Sequence, residues 1–415
     1  MSDTEPIRVL HIITRMIVGG AQENTLLSVE GLDCLPEYEV TLASGVDNGP
    51  EGDLLTRARR TTRLLIVPEL GRSINPLSDL KAFWKLYRLI RKGRYHIVHT
   101  HSSKAGVLGR LAAKLAGTPL IVHTLHSLVF HEYQPWIINR LWWAVKKICA
   151  PATDHFISVS RIISQKAVAA GIDKPEKFTT IYSGMELDWF LKAQVDPIAI
   201  RREFGIPEDA PVVGKIARLF PLKGHDQLLD AAPAIVERHP AVRFFFIGDG
   251  VLYDHLRKRA SDAGILDNFV FAGLVERERI PAMLSAMDIL VHTSLREGLA
   301  RALPQALAMG KPCVSFDIDG APEVVVAGET GYIVRPGDTI ELSNAVSRLL
   351  ADPQLRARMG EAGRRLVDPA FRAETMVKEI SAVYEMLINR HPERIARFNK
   401  RHSGNRTEAL ERAAT

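Results

Sequence analysis

The stretch Glu297-Gly-Leu-Ala-Arg-Ala-Leu-Pro-Gln305 joins an apolar run, Asp288–His292, to a short helical pattern. The apolar run predicts a buried strand, so a carboxylate stands just after a strand and just before a helix. Ligands bind at that position in open α/β sheets. Residues spaced by four share one helix face, and we therefore expect Glu297, Arg301 and Gln305 to face one cleft.

The alternation of apolar runs and helical patterns extends along almost the whole chain, which predicts parallel sheets covered by helices. It is interrupted near residue 190, where the sequence becomes polar. The fold class is therefore α/β, with two doubly wound domains facing a central cleft. The predicted strands are Val9–Thr14, Glu39–Ala43, Leu64–Val67, His96–Thr100, Leu120–Thr124, His155–Val159, Phe178–Ile181, Val212–Ala217, Arg243–Ile247, Asn268–Ala272, Asp288–His292, Pro312–Phe316 and Gly331–Val334.

These patterns divide the chain into four parts. Residues 1–190 and 191–365 are the two domains, residues 366–390 form a helix that packs back on the first domain, and residues 391–415 form a flexible basic tail. A chain of 415 residues is long enough for two cores of ordinary size.

Composition indicates a cytoplasmic protein. No apolar run reaches the roughly 18 residues that span a bilayer, and the acidic start, Met1–Glu5, lacks a signal-peptide pattern. Three cysteines, Cys34, Cys149 and Cys313, are too few for a disulfide framework. The net charge of +6 suits anionic ligands or an anionic membrane surface, which allows a location at the inner face of the cell membrane.

Two loops could hold phosphate groups. Arg218 and Lys223 lie between a predicted strand and a helix that begins at His225, where free backbone N–H groups and the helix dipole favour a diphosphate. The alternative is that both are solvated loop cations. Gly19 and Gly20 also lie between a strand and a helix, without the GxGxxG or GxxxxGK[ST] spacing of dinucleotide or P-loop sites.

Two groups of residues raise the question of a metal. A set of histidines flanks two predicted strands, and its members could either bind zinc or line the cleft: His99, His101, His123, His126 and His131. Asp317 and Asp319 are spaced like a metal–diphosphate pair, but they precede a glycine, which favours a turn with solvated acids. We expect no metal in the site.

The segment Pro135–Ile148 predicts an amphipathic helix, which could lie on a membrane or pack on the core, with the core slightly favoured. Its apolar positions are Ile137, Leu141, Ala144, Val145 and Ile148. The segment Phe83–Arg94 adds a second basic face. No nucleic-acid motif accompanies either segment, so nucleic acid is not expected as a partner.

Together these segments resemble the retaining glycosyltransferases of family 4, which have the GT-B fold of two Rossmann-like domains. The resemblance covers residues 7–390 and rests on four landmarks in the family's order. These are Gly19-Gly20, Val122–His126, Arg218 with Lys223, and the Glu-x7-Glu region at Glu297–Gln305.

The resemblance implies roles for individual residues. Arg218 and Lys223 would neutralise the leaving diphosphate, His126 would contact the transferred sugar, and Glu297 would hold sugar hydroxyls. The other residues assigned to the donor are Gly19 and Gly20 at the phosphate, Val275 at the base, and Leu299 and Ala300 at a helix start. Gln305 departs from the family, where a glutamate usually binds the ribose. An amide keeps the hydrogen bond but loses about 1 kcal/mol of charge assistance.

The expected function is transfer of a sugar, without a metal or other cofactor, from a nucleotide-diphosphate sugar. A UDP-sugar is the favoured donor, and a glycan or lipid-linked acceptor in cell-surface polysaccharide biosynthesis is the favoured partner. Two enzymatic alternatives are a nucleotide-sugar epimerase and a phosphorylase of the same architecture. Gln305 keeps open a non-catalytic sugar-nucleotide-binding partner of a polysaccharide assembly complex.

Overall fold

The structure is a computed structural model that describes residues 5–46 and 52–411, with side chains described up to residue 402. Most of the acidic start and the end of the predicted tail lie outside the described residues. The chain forms two compact units. One contains the chain up to Met185 and again from Ala373, and the other contains Glu186–Arg372.

The first unit is built on a seven-stranded parallel sheet with the order β3-β2-β1-β4-β5-β6-β7. The order reverses between β1 and β4, which makes the carboxyl ends of these two strands the switch point where ligands bind in such sheets. Its strands are β1 Ile7–Ile13, β2 Tyr38–Ser44, β3 Arg63–Ile66, β4 Ile97–His101, β5 Leu120–Leu125, β6 His155–Ser158 and β7 Phe178–Thr180.

Helices cover this sheet on both faces, and the central strands β1, β4 and β5 are therefore buried at nearly every position. Val9 and Ile13 on one face of β1 pack in a cluster with Tyr384, while Leu10 and Ile12 on the other face pack with Leu86. The helices are α1 Gly20–Asp33, α2 Leu55–Thr61, α3 Pro76–Gly93, α4 Ser103–Ala116, α5 Trp136–Cys149 and α6 Arg161–Ala169.

The second unit has a six-stranded parallel sheet with the order β10-β9-β8-β11-β12-β13, and its order reverses between β8 and β11. Its elements are α7 Asp188–Leu191, α8 Pro197–Glu203, β8 Val212–Ile216, α9 His225–Arg238, β9 Arg243–Ile247, α10 Tyr253–Asp262, β10 Phe269–Phe271, α11 Ile280–Ser285, β11 Ile289–His292, α12 Ala302–Ala308, β12 Cys313–Phe316, β13 Gly331–Val334, α13 Thr339–Ala351 and α14 Pro353–Val367.

The chain then returns to the first unit as α15, Ala373–Arg390. Met376, Ile380, Tyr384 and Leu387 are buried in one cluster with residues of α1 and β1. The predicted α/β class, the two parallel-sheet domains and the return of a C-terminal helix to the first domain are confirmed. Each predicted strand is present with ends shifted by two residues at most.

The predicted flexible tail differs from the structure, because residues Pro392–Glu411 form a further helix, α16. Its sequence is largely polar, but Phe398 is buried and Ile395 packs against the core of the first unit. Polar contacts attach the helix as well. Arg394 pairs with Asp154 at 2.7 Å, and Asn399 Oδ1 lies 2.9 Å from His96 Nε2. Among the described residues, no helix combines the length and apolarity needed to traverse a bilayer.

Candidate functional site

In the second unit, two loops meet at the switch point between β8 and β11. The Leu295 amide donates to the Leu222 carbonyl at 2.9 Å, and the Thr293 hydroxyl donates to the Gly224 carbonyl. Gly224 has φ +64°, and a Cβ there would lie 1.6 Å from the Thr293 carbonyl oxygen. Only glycine allows so close an approach of two backbones. The turn into α9 is thereby fixed against the loop that follows β11.

Two predicted residues meet at this junction. Nζ of Lys223 lies 2.5 Å from Oε1 of Glu297, and their side chains are 23% and 20% exposed. The Glu297 amide donates to Asp319 Oδ2 at 2.8 Å, which holds the loop in place. Burial alone would raise the pKa of the Glu297 carboxyl, but the adjacent Lys223 ammonium outweighs burial and leaves this pKa below its ordinary value. Glu297 is therefore a carboxylate at neutral pH.

Asp319 thus has a structural contact that the sequence did not reveal. It adopts φ +42°, and its carboxylate, on the loop after β12, accepts a hydrogen bond from the Glu297 amide on the loop after the neighbouring strand β11. Asp317 is exposed, as expected for a solvated acid. Among the described residues, the two acids do not belong to a group whose ligand atoms lie close enough together to hold a metal ion.

Two buried polar residues beside Glu297 were missed from the sequence. Nζ of Lys215 donates to the Thr293 hydroxyl at 2.7 Å, and burial, aided by the charge of Lys223, lowers the pKa of Lys215 to about 7. Nε2 of His292 lies 3.9 Å from Glu297 Oε1, and burial lowers the pKa of His292 to about 3. The signal in the sequence was a lysine inside the otherwise apolar strand β8, because lysine is almost never fully buried unless it has a partner.

Four other predicted donor residues lie on loops of the same unit. Arg218 is exposed on the loop after β8, with its guanidinium 5.1 Å from the centre of the Phe220 ring. Val275 is half-buried in the loop after β10. Leu299 and Ala300 are 8% and 6% exposed, so side chains there offer little surface and any ligand contact would come from backbone.

One geometric expectation was wrong. Glu297 lies outside α12, which begins only at Ala302, so it does not share a helix face with Arg301 and Gln305. The reason is Pro304, which lacks an N–H group. Proline is tolerated in the first helical turn, whose N–H groups have no partner within the helix, but it is costly deeper inside. The helix therefore begins two residues before Pro304, and Glu297 is held by the loop contacts instead.

In the first unit, Gly19 caps α1, which begins at Gly20. Both glycines lie where β1 leads into a helix, as predicted, and the sheet order reverses at β1. His126 follows β5 directly, is half-buried, and its Nε2 lies 3.1 Å from His101 Nδ1. Burial lowers the pKa of His126 to about 3, so its ring is neutral.

The predicted histidine set is partly brought together. His99 and His101 lie on β4, and His123 lies on the neighbouring strand β5. Among the described residues, the one group whose ligand atoms lie within 4.8 Å of one another is His99, His101 and His11, and His11 was not in the predicted set. His11 is opposite His99 in the register of β1 and β4.

The core-packing expectation for the segment around α5 was wrong for most of its apolar face. Ile137, Leu141 and Ile148 are 61%, 61% and 72% exposed, and Trp136 is 76% exposed. The helix instead buries Lys146, whose Nζ lies 3.3 Å from His123 Nε2. Burial lowers the pKa of Lys146 to about 7. A buried lysine rotates the helix away from the orientation that apolar periodicity predicts.

Comparison with known proteins agrees with this arrangement. Residues 197–366 match the family described as "Glycosyl transferases group 1", and residues 33–189 match "Glycosyltransferase Family 4". A protein of Escherichia coli, UDP-Gal:alpha-D-GlcNAc-diphosphoundecaprenol alpha-1,3-galactosyltransferase, is 28% identical over 390 residues, covering 92% of this chain and 98% of that protein. The capsular polysaccharide biosynthesis glycosyltransferase CapM of Staphylococcus aureus is 26% identical over 326 residues, covering 78% and 85%.

Solved structures share the fold. Anabaena HepE in complex with UDP and glucose superposes with a TM-score of 0.79 at 21% identity, covering 91% of this chain and 99% of that one. A glycosyltransferase from Rickettsia africae superposes with a TM-score of 0.77 at 19% identity, covering 93% and 99%. With family matches over both domains and the switch-point loops in place, the chain belongs to the family 4 glycosyltransferases of GT-B fold and is a hexosyl-type sugar transferase.

Proposed function

We propose that the protein is a retaining glycosyltransferase that moves a sugar from a UDP-sugar to a glycan or lipid-linked acceptor in cell-surface polysaccharide biosynthesis. The observation that carries the proposal is the Lys223–Glu297 pair at the switch point, with the exposed Arg218 on the loop that leads to Lys223. The E. coli relative is named for a UDP-sugar donor and a lipid diphosphate acceptor, and the Anabaena structure holds UDP. Both support this choice of donor and acceptor.

The second domain would hold the donor. As the bond between the sugar carbon and the diphosphate oxygen breaks, negative charge collects on the diphosphate. Arg218, Lys223 and the amino-terminal end of α9 would stabilise that charge electrostatically. In this proposal the two cations and the helix end stabilise the leaving diphosphate without a divalent metal.

Glu297 would bind hydroxyl groups of the transferred sugar. A carboxylate held by Lys223 accepts hydrogen bonds well but is a poor nucleophile, because its charge is already compensated. Retention of configuration would then follow the front-face route usually proposed for the family. The acceptor oxygen forms its bond to the sugar on the face that the diphosphate leaves, and its proton passes to a diphosphate oxygen.

The other predicted residues complete the assignment. The backbone near Val275 would contact the base, Gln305 the ribose, and the backbone at Leu299 and Ala300 the diphosphate. In the first domain, Gly19 and Gly20 would allow a phosphate to approach the backbone closely, and His126 would contact the sugar.

A thermal-shift panel without metal tests the donor assignment. UDP, GDP, ADP and several UDP-sugars are added to the wild type and to Arg218→Ala. Ligand at about a hundred times its dissociation constant adds roughly 2.7 kcal/mol of stability. We expect a rise in melting temperature with UDP and UDP-sugars that Arg218→Ala reduces. A rise with another nucleotide alone would change the donor, and no rise with any nucleotide would contradict the site.

We infer further that α5 places the enzyme on an anionic membrane surface. Ile137, Leu141 and Ile148 form one exposed apolar stripe, and the exposed cations Arg140 and Lys147 lie on the same helix. A lipid surface with anionic headgroups satisfies both features, and the chain carries a net charge of +6. A lipid-linked acceptor would be encountered on that surface.

Co-sedimentation with vesicles tests this inference. The wild type is expected to bind vesicles that contain phosphatidylglycerol, more weakly those of phosphatidylcholine alone, and Leu141→Glu is expected to bind neither. Ile340→Glu is the matched control, because Ile340 is 74% exposed on α13 of the other domain. Equal binding by both variants would exclude α5 as the membrane surface. Loss of a dimer in light scattering by Leu141→Glu, without a change in vesicle binding, would assign the stripe to a second copy of the chain.

A further inference from the structure

A continuous row of hydrogen-bonded side chains runs through the first domain from α15 to the end of β5. Tyr384 Oη lies 3.2 Å from His11 Nε2, His11 Nδ1 lies 2.9 Å from His101 Nε2, and His101 Nδ1 lies 3.1 Å from His126 Nε2. Tyr384, His11 and His101 are completely buried. We refer to these four residues as the histidine chain.

The three rings of the histidine chain are neutral. Burial lowers the pKa of His11 and of His126 to about 3 and holds the pKa of His101 well below its ordinary value. A neutral imidazole has one N–H donor and one acceptor nitrogen. His11 and His101 each use both ring nitrogens within the chain, one as donor and one as acceptor, and His126 ends the chain. The direction of one hydrogen bond therefore fixes the direction of all the others. The chain therefore has two possible polarities, which give His126 opposite tautomers.

A side branch selects between the two polarities. Tyr384 Oη also lies 2.6 Å from His99 Nδ1, and His99 Nε2 lies 2.7 Å from the Thr124 hydroxyl. Hydrogen bonds donated by O–H are shorter than those donated by N–H. The 2.6 Å contact is therefore the one that Tyr384 donates, and the 3.2 Å contact is the one that it accepts from His11.

From this direction the rest follows. His11 Nε2–H donates to Tyr384, so His11 Nδ1 accepts from His101 Nε2–H, and His101 Nδ1 accepts from His126 Nε2–H. His126 Nδ1, the ring nitrogen outside the chain, then carries a lone pair and no proton. It can accept a hydrogen bond from a hydroxyl group but cannot donate one.

A metal would compete with this arrangement. The ligand atoms of His11, His99 and His101 lie within 4.8 Å of one another, so an ion could bridge them. However, each of their six ring nitrogens already has a hydrogen-bond partner. An ion would have to break these contacts in a fully buried site, whereas the hydrogen-bonded row satisfies every atom.

We propose that Tyr384, His11 and His101 are positioning residues that keep His126 as the Nε2–H tautomer, so that its Nδ1 accepts a hydrogen bond from a hydroxyl of the transferred sugar. The role of His126 at the sugar rests on the proposed function, whereas its tautomer does not. Helix α15 thereby determines the chemistry offered by a residue that directly follows strand β5.

The tautomers can be read directly by ¹⁵N–¹H NMR of the full-length protein labelled in its histidine rings, without any ligand. In the wild type we expect His126 Nε2 to be protonated and Nδ1 to be unprotonated. Signals are assigned with His126→Gln. Protonated Nδ1 in the wild type would overturn the proposed polarity.

Two conservative variants should reverse the chain. Tyr384→Phe leaves His11 Nε2–H without an acceptor, and a buried N–H is costlier than a buried lone pair, so His11 moves its proton to Nδ1. Thr124→Val deprives His99 Nε2–H of its acceptor. His99 then donates from Nδ1 to Tyr384, and Tyr384 donates to His11. Either variant should give His126 a protonated Nδ1, and Thr124→Val serves if Tyr384→Phe does not fold.

Thr100→Val is the matched control. Thr100 lies on β4, and its hydroxyl contacts His123 Nδ1 at 2.9 Å, outside the histidine chain. The same change of hydroxyl to methyl should leave the His126 tautomer as in the wild type. An unchanged tautomer in both Tyr384→Phe and Thr124→Val, with circular dichroism as in the wild type, would overturn the proposal. One zinc ion per chain in the purified protein, with loss of these N–H signals, would also overturn it.

Measurements of turnover then separate the control of the His126 tautomer from the role of His126 at the sugar. If the donor is a UDP-sugar, Thr124→Val should lower kcat about tenfold, the worth of one hydrogen bond of roughly 1.4 kcal/mol, while Thr100→Val should not. A tautomer switch with unchanged kcat would overturn the positioning role. If the tautomer switches but the protein has no transferase activity towards any donor, the proposed function is contradicted. The control of the His126 tautomer by Tyr384, His11 and His101 is then still supported.

Discussion

Nζ of Lys223 and Oε1 of Glu297 are 2.5 Å apart, although 74 positions separate the two residues in the sequence. Lys223 ends the loop after β8, and Glu297 belongs to the loop after β11, the two strands between which the sheet order reverses. The chain thus brings an ammonium and a carboxylate to the place where α/β sheets bind ligands, each compensating the other while the donor is absent.

Removal of either partner should be severe for catalysis. We expect Lys223→Ala and Glu297→Ala each to lower kcat about a hundredfold or more, because each removes a group aimed at charge or hydroxyls in the transition state. Circular dichroism should remain as in the wild type. Lys258→Ala, an exposed lysine of the same domain, should have no effect. Full activity of a correctly folded Lys223→Ala variant would refute the assignment.

Gly224→Ala should destabilise the second domain. The new Cβ meets the Thr293 carbonyl at 1.6 Å, and φ is +64°. Gly264→Ala is the control, since Gly264 has φ +70° with no atom within 4 Å of its Cβ position. The unfolding free energy of Gly224→Ala should fall about 2 kcal/mol further than that of the control, with loss of the UDP-induced thermal shift. Equal losses would mean that the loops separate easily.

The stability of the second domain should depend on Lys215 in a defined pH window. Its pKa is about 7 in the folded protein, against an ordinary value of 10.5. Between these values the unfolded chain binds more protons than the folded chain, so the unfolding free energy rises with pH. In urea titrations at pH 7, 8 and 9, Lys215→Met should weaken the rise of the unfolding free energy with pH. The reduction should correspond to at most one proton in the difference between the unfolded and folded chains. The exposed control Lys258→Met should show the same pH dependence of unfolding free energy as the wild type. The same result for Lys215→Met would show that Lys215 keeps its ordinary pKa.

Gln305→Glu should restore charge-assisted binding of the ribose. A gain of about 1 kcal/mol corresponds to roughly fivefold tighter binding of UDP. Isothermal titration calorimetry measures it, and the gain should vanish with a UDP analogue that lacks both ribose hydroxyls. An equal gain with that analogue would place residue 305 away from the ribose.

Much of the fold could be predicted because most of its strands are buried and stand out as short, largely apolar runs between polar segments. The site was harder to predict in detail. Glu297 and Lys223 were recognised from the sequence. Because of Pro304, however, the helix that was expected to include Glu297 begins only after it, at Ala302. Lys146 is buried through a tertiary contact that no periodicity reveals. His11 lies among apolar neighbours on β1, and only the register with β4 connects it to the other histidines.

The return of α15 to the first domain has a consequence for synthesis. Residues that fill the core beside β1, among them Met376 and Tyr384, emerge from the ribosome after the whole second domain. The first domain therefore cannot complete its core until the second domain, which is an insertion in it, has been synthesised. Until then, part of its apolar surface stays exposed to solvent. The entry and exit of that insertion touch, since the Ala373 amide donates to the Met185 carbonyl at 3.0 Å. Excising residues 186–372 and closing the gap with a few glycines should yield a free-standing first domain, whereas truncation at residue 185 should not.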